Sequence, residues 1–287
     1  MAGGEPLPHN VMLVDYHLHS HVSHDGAGRI EEHARRAAEL GLAEICLTEH
    51  LDFYPSQDGL SCTTIPSSDR LERYLEEVRE LRDRSPVRVL AGIELDYKPE
   101  ADRWVRELLD RFHFDFVLGS VHNVGSWGVS GPEDMALDFF RERGTERGCL
   151  EYYEMVARAV DTGLFDSFAH LDLVKRFRPE NGTLILQGSI RDRIVGILDR
   201  MAATGTGIEV NGSGLVHAPR EAYPSLSLLK LARERGVTVL TAGSDSHRPE
   251  TVGRHLRESL ALAREAGFTH LYTFDRRVRT AIAIENG

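Results

Sequence analysis

Cysteine is scarce in this chain. Of its 287 residues only Cys46, Cys62 and Cys149 carry thiols, too few and too scattered for a disulfide framework or a C-x-x-C metal site. A reducing compartment, the cytoplasm, is therefore the expectation. Long apolar runs are missing too, and nothing approaches the roughly 18 apolar residues of a membrane span. Met1–Asn10 has no basic start leading into an apolar segment, so no signal peptide is expected. Basic charge is in deficit, with 34 Lys and Arg against 45 Asp and Glu. The net charge of −11 argues against a non-specific grip on nucleic acid or an anionic membrane. A small anionic substrate stays open, because bound cations reverse the sign of a site locally. Linkers, low-complexity segments and charge blocks are also absent, and residues 1–287 read as a single domain.

What the chain does have is rhythm. Short apolar strand candidates at Met12–His17, Glu44–Thr48, Val87–Leu95, Phe114–Val121, Phe165–Ala169, Gly207–Val210, Val237–Ala242 and His270–Phe274 alternate with helical patterns such as Ile30–Leu40, Tyr152–Thr162, Ile190–Ala203 and Leu256–Ala266. Gly41, Gly163, Gly236 and Gly267 each follow a helical stretch and precede an apolar one, the position of a helix-closing residue in the left-handed conformation. Regular βα alternation with short connections predicts a parallel sheet, open or closed, and the length suits a TIM-like α/β barrel. The stretches Tyr54–Ser67 and Val124–Gly131 are longer loops, which on a rigid scaffold shape substrate pockets.

Polar residues of one chemical kind gather where those strands end. In Val14-Asp15-Tyr16-His17-Leu18-His19-Ser20 the period of two puts Asp15, His17 and His19 on one face. Later strands run out into Thr48-Glu49-His50, Gly92-Ile93-Glu94, Gly119-Ser120-Val121-His122, Phe168-Ala169-His170 and Gly243-Ser244-Asp245-Ser246-His247. In a parallel barrel the C-terminal strand ends open on one face, so His17, His19, His50, Glu94, His122, His170, Asp245 and His247 should converge, with Asp25 in reach from the first loop. Taken singly, each is a polar residue closing a strand. Together, so many imidazoles and carboxylates in one cavity would stay undersatisfied without cations. A metal cluster is the expectation. His33, His255 and His270 fall in helix or late-strand patterns, while His21 and His24 lie near the site without a partner evident from spacing.

These segments, with Gly92-Ile93-Glu94-Leu95-Asp96-Tyr97, Ala169-His170-Leu171-Asp172-Leu173-Val174-Lys175-Arg176-Phe177 and Glu209-Val210-Asn211-Gly212-Ser213-Gly214-Leu215, resemble the motifs of the polymerase and histidinol phosphatase (PHP) superfamily, in its histidinol-phosphatase branch. The resemblance runs in order through nearly the whole chain. It implies a distorted seven-stranded (βα) barrel and a centre of three divalent or transition metal ions, Zn, Fe or Mn. By the same resemblance His17, His19, Glu94 and Asp245 would hold one ion, Glu94, His122 and His170 a second, and Asp25, His50 and His247 the third. One departure is visible. Some histidinol phosphatases carry a basic residue just after Ser213-Gly214-Leu215, where this chain has Val216 and His217, with Arg220 nearby.

The reaction so implied is hydrolysis of a small phosphate monoester, L-histidinol phosphate first among them. Glu94 would bridge two ions, and Asp245 or His247 would pass a proton to the leaving oxygen. Lys175 and Arg176, just past the fifth strand, are candidates for the phosphate, and Trp127 for stacking on a flat ring. The alternatives are a PHP-type nuclease or phosphoesterase acting on another ester or a nucleotide, an amidohydrolase barrel, and a non-catalytic module. The bridging candidate on strand three rather than a strand-four lysine disfavours the amidohydrolase.

Overall fold

The computed structural model describes residues 12–56, 59–62, 68–178, 180 and 186–284. Seven parallel strands carry the fold: β1 Val14–Leu18, β2 Glu44–Leu51, β3 Arg88–Asp96, β4 Phe116–Ser120, β5 Ser167–Phe168, β6 Gly207–Asn211 and β7 Leu240–Gly243. They neighbour one another in chain order. The ring closes where His19 N donates to Ser246 O at 2.7 Å and Ser246 N to His17 O at 3.3 Å, through a parallel bridge between Leu18 and Ser246. Seven strands in a nearly closed ring make a distorted (βα) barrel. Strands covered on both sides lack simple alternation of apolar and polar residues. β2 shows this: every residue of Glu44-Ile45-Cys46-Leu47-Thr48-Glu49-His50-Leu51 is buried.

Helices wrap the barrel, among them α1 Ile30–Glu39, α2 Ser68–Arg82, α3 Asp102–Arg111, α4 Glu133–Arg143, α5 Thr145–Asp161, α6 Gly188–Thr204, α7 Leu226–Glu234 and α8 Leu256–Glu265. Each turns an apolar stripe inward. In α1 that stripe is Ile30, His33, Ala34 and Ala37. Gly41, Gly163, Gly236 and Gly267 adopt φ of 72°, 67°, 90° and 92°, and the chain turns through each into the next strand. Helix α4 was not anticipated from the sequence. No helix among the described residues is long and apolar enough to cross a membrane.

One strand candidate takes a different place. His270–Asp275 pairs antiparallel with Val278–Ala283 and stands outside the barrel. Its contacts show why. Phe274 N donates to Tyr16 Oη at 2.7 Å, Arg88 Nη2 reaches Asp275 at 2.9 Å, and Arg277 reaches the Asp115 carbonyl at 2.8 Å and Asp166 at 3.0 Å. Arg88, Asp115 and Asp166 sit at or just before strand starts, so the hairpin covers the N-terminal end and leaves the other end as the mouth. The long-loop stretches hold small hairpins, Phe53–Ser56 with Gly59–Cys62 and Asn123–Val124 with Trp127–Gly128. Residues 57–58 and 63–67 of the first stretch lie outside the described residues.

Candidate metal centre

Glu94, at the end of β3 and fully buried, is the centre of the mouth. Five imidazoles surround its carboxylate. His17 Nε2 lies 3.3 Å away, His19 Nε2 3.5 Å, His50 Nδ1 3.0 Å, His122 Nε2 3.4 Å and His170 Nε2 3.2 Å. Asp245 Oδ1 sits 3.6 Å from both His17 Nε2 and His19 Nε2. At the rim, Asp25 lies 3.2 Å from His247 Nε2 and 3.6 Å from His50 Nε2. The structure thus brings together all nine residues read from the strand ends and the first loop.

The backbone around them is built for this. Asp15 accepts from Ser244 N at 2.9 Å, Ser244 Oγ at 2.6 Å and Gly253 N at 2.9 Å, tying β1 to the segment that carries Asp245 and His247. A Cβ on Gly243 would fall 2.3 Å from His17 Cβ and 2.3 Å from Glu209 Oε1, so only glycine lets β7 pass this close. His170 and Asp245 have φ of 28° and 55°, backbone that costs of order 1–3 kcal/mol per residue and is held only by its surroundings. Glu49 accepts from Ser20 Oγ at 2.5 Å and Ser23 Oγ at 2.6 Å, fixing the loop that leads to Asp25.

The donors fit a cation better than they fit each other. His19 Nε2, His50 Nδ1 and Glu94 Oε1 are buried with no hydrogen-bond partner, an arrangement that costs several kcal/mol unless something else meets those lone pairs. Donor atoms bound to one tetrahedral metal at 2.0–2.1 Å stand about 3.3 Å apart, close to the spacings above. Four sets of three, His17/His19/Glu94, His17/His170/Asp245, His50/Glu94/His122 and His19/His50/His247, each have donor atoms within 4.8 Å of one another. Burial alone would raise the Glu94 carboxyl, but His17, His122 and His50 outweigh it and hold it well below the usual carboxylate range. Burial pushes His122 down to about 3 and His19 well below its ordinary value. Burial also works to lower His17 and His50, but Glu209, Asp245 and Glu94 hold His17 well above its ordinary value, and Asp52 and Glu94 hold His50 up at about 10. A metal therefore takes His19 and His122 as neutral donors and displaces a proton from His17 and His50.

Above the cluster opens a cavity of about 440 Å³, into which Arg176, Arg248, Asp25, Asp52, Asn123 and His24 project among others. Two sequence expectations are corrected here. Lys175 is fully buried and holds Asp172 Oδ2 at 2.8 Å, Glu221 Oε1 at 2.8 Å and the Ala222 carbonyl at 3.1 Å. It cannot reach a phosphate in the cavity. Trp127 packs beside Phe139, ring centroids 6.3 Å apart, and does not line the cavity, because the hairpin it belongs to turns it toward α4. Arg176 does face the cavity, and its Nε has no hydrogen-bond partner. His24, for which spacing suggested no partner, lies 3.7 Å from Asp52 and 3.9 Å from Asp25. Arg220 is exposed and outside the cavity lining, where Arg248 supplies a second guanidinium instead. Sequence reasoning also missed Glu209, whose Oε1 lies 2.7 Å from His17 Nδ1. Its signal was a carboxylate inside an otherwise apolar strand.

A seven-stranded parallel barrel whose mouth carries nine histidine and carboxylate donors defines a metal-binding βα-barrel protein. Residues 15–213 match the PHP domain, and the chain belongs to that family. A probable histidinol-phosphatase of Deinococcus radiodurans is 31% identical over 257 residues, covering 89% of this chain and 94% of that protein. The histidinol-phosphatase of Lactococcus lactis is 30% identical over 268 residues, covering 91% and 94%. Among solved structures, histidinol phosphate phosphatase from Lactococcus lactis complexed with zinc, L-histidinol and phosphate superposes with a TM-score of 0.75 at 26% identity, covering 94% of this chain and 100% of that one.

Proposed function

We propose that this protein is a metal-dependent phosphate monoesterase that converts L-histidinol phosphate and water to L-histidinol and phosphate, a step of histidine biosynthesis. The observation that carries the reading is a nine-donor cluster lying directly beneath a cavity lined by Arg176 and Arg248. The histidinol-phosphatases of similar sequence, and the Lactococcus lactis structure with zinc and both products, support the choice of substrate. Three divalent ions are the expected complement. His17, His19, Glu94 and Asp245 would hold one, Glu94, His122 and His170 another, and Asp25, His50 and His247 the third. When bound, such ions neutralise charge on phosphoryl oxygens and lower the pKa of water.

The protein's own groups do the rest. Arg176 offers a planar fork of donors to the phosphate, and Arg248 adds positive charge from the β7 side. Hydrolysis breaks the bond between phosphorus and the ester oxygen, and the departing alkoxide must gain a proton. His247 is about one-third exposed at the rim and the deeper Asp245 side chain 15% exposed, so solvent reaches the cavity on the His247 side and can supply that proton. Glu94 fixes the spacing of the donors around it.

Turnover of L-histidinol phosphate, p-nitrophenyl phosphate, bis(p-nitrophenyl) phosphate and a single-stranded oligonucleotide tests this. The expected result is the highest kcat/KM on L-histidinol phosphate and little on the diester or the oligonucleotide. Preference for the oligonucleotide would make the protein a nuclease of the same family.

A further inference from the structure

The cavity over the cluster is polarised by the topology of the barrel. Arg176 follows β5 and Asp52 follows β2. In a ring of seven strands these stand three places apart, the greatest separation available, so cation and anion face each other across the mouth. Asp52 is 4% exposed yet lines the cavity. Its Oδ1 has no hydrogen-bond partner, and its nearest basic neighbours, His24 Nδ1 and His50 Nδ1, are 3.7 and 3.8 Å away. Ion-pair distance to two imidazoles still leaves Oδ1 without a hydrogen-bond donor, and a buried acceptor in that state is stabilised by a donor that enters the cavity. Arg248, after β7, and Asp25, after β1, also line the cavity; Asp25 stands as far from Arg176 around the ring but faces His247 at 3.2 Å, which leaves Asp52 as the carboxylate for an incoming cation.

Resting on the substrate reading above, we infer that Asp52 is a specificity-determining residue that accepts a hydrogen bond from the ammonium group of the substrate. The phosphate goes to the Arg176 side, and the ammonium, carried on the carbon next to the ester CH2, turns toward β2. Asp52 gives the mouth a reason to prefer an aminated monoester over a neutral one.

The competing role for Asp52 is to position His50, and the two separate experimentally. Asp52→Asn keeps the shape and removes the charge. The expected outcome is a fall in kcat/KM for L-histidinol phosphate of about 10- to 150-fold, the range for one charged hydrogen bond. The loss should appear mainly in KM, with p-nitrophenyl phosphate turnover and bound metal unchanged. Equal losses on both esters with reduced metal content would show a positioning role and overturn the inference, as would no loss on either. Ethanolamine phosphate against ethyl phosphate, esters that differ by the amine, gives the same test without histidinol: the wild type should prefer the first and Asp52→Asn should not. A wild type that cleaves p-nitrophenyl phosphate and ignores L-histidinol phosphate overturns the substrate assignment alone, and the ethanolamine pair then decides on Asp52.

Discussion

Glu209 on β6 has two neighbours that want the same thing from it. One carboxylate oxygen lies 2.7 Å from His17 Nδ1 and the other accepts from His170 N at 2.9 Å, with Asn211 Nδ2 at 3.1 Å. Accepting from His17 Nδ1–H leaves the Nε2 lone pair facing Glu94 and Asp245, so Glu209 sets the tautomer of a proposed metal ligand. Glu209→Gln breaks this without changing shape. A carboxamide has one acceptor end, so its NH2 must face either His17 Nδ1–H or the His170 N–H, donor against donor. We expect a 10- to 100-fold loss of metal affinity or activity, read by titrating the stripped protein with zinc and following kcat. Unchanged zinc affinity and kcat would mean Glu209 only packs. The clustering of the donors was legible in the sequence because imidazole and carboxylate at successive strand ends leave few innocent explanations. Glu209 was quoted among the motifs but drew no role, since a ligand's partner carries no pattern of its own. The dibasic Lys175-Arg176 shows a second limit. Adjacent residues in a tight turn point different ways, and sequence cannot say which of two cations turns in.

At the scale of elements, Lys175 acts as a clamp. It ends the 3-10 turn Leu173–Lys175 after β5 and reaches Glu221 and the Ala222 carbonyl, beyond β6, while paired to Asp172. Burial would raise the Asp172 carboxyl, and Lys175 works against that. Removing one partner of a buried pair leaves an uncompensated charge, at about 3–5 kcal/mol. Lys175→Met should therefore lower unfolding stability by about that much in a urea titration. Arg176→Ala should leave stability nearly unchanged and lower kcat/KM about 10- to 150-fold on every phosphate monoester tested. The opposite pattern, a stable Lys175→Met that fails on all monoesters, would return Lys175 to the phosphate. Most elements were visible in advance, because a helix closed by glycine and followed by an apolar run has few other readings. The hairpin His270–Asp275 was not separable from a barrel strand, since apolar content does not distinguish pairing within the ring from pairing across its floor. Trp127 failed for a related reason: a two-residue hairpin decides which way its side chains face.

For the molecule as a whole, the donors matter because they come from so many places. Their positions lie on or after six of the seven strands, β1, β2, β3, β4, β5 and β7, so whatever binds them draws the barrel together at one end. Without cations, this set combines buried unpaired atoms with imidazoles crowded around His19; with them, binding free energy adds to folding free energy. The protein purified without chelator should accordingly contain close to three equivalents of Zn, Fe or Mn by elemental analysis. An ion held at a thousand times its Kd adds about 4 kcal/mol, and each kcal/mol moves Tm by about 2–4 °C in a protein approaching this size. Stripping the metals should thus lower Tm by at least about 8 °C, with recovery on adding zinc back. Glu94→Gln should show a depressed Tm before any stripping and a smaller further drop after it, because one of its two ligand oxygens becomes an amide nitrogen with no lone pair to give. Less than one equivalent of metal, together with a Tm and a turnover indifferent to EDTA, would sink the cluster reading and the proposed chemistry with it.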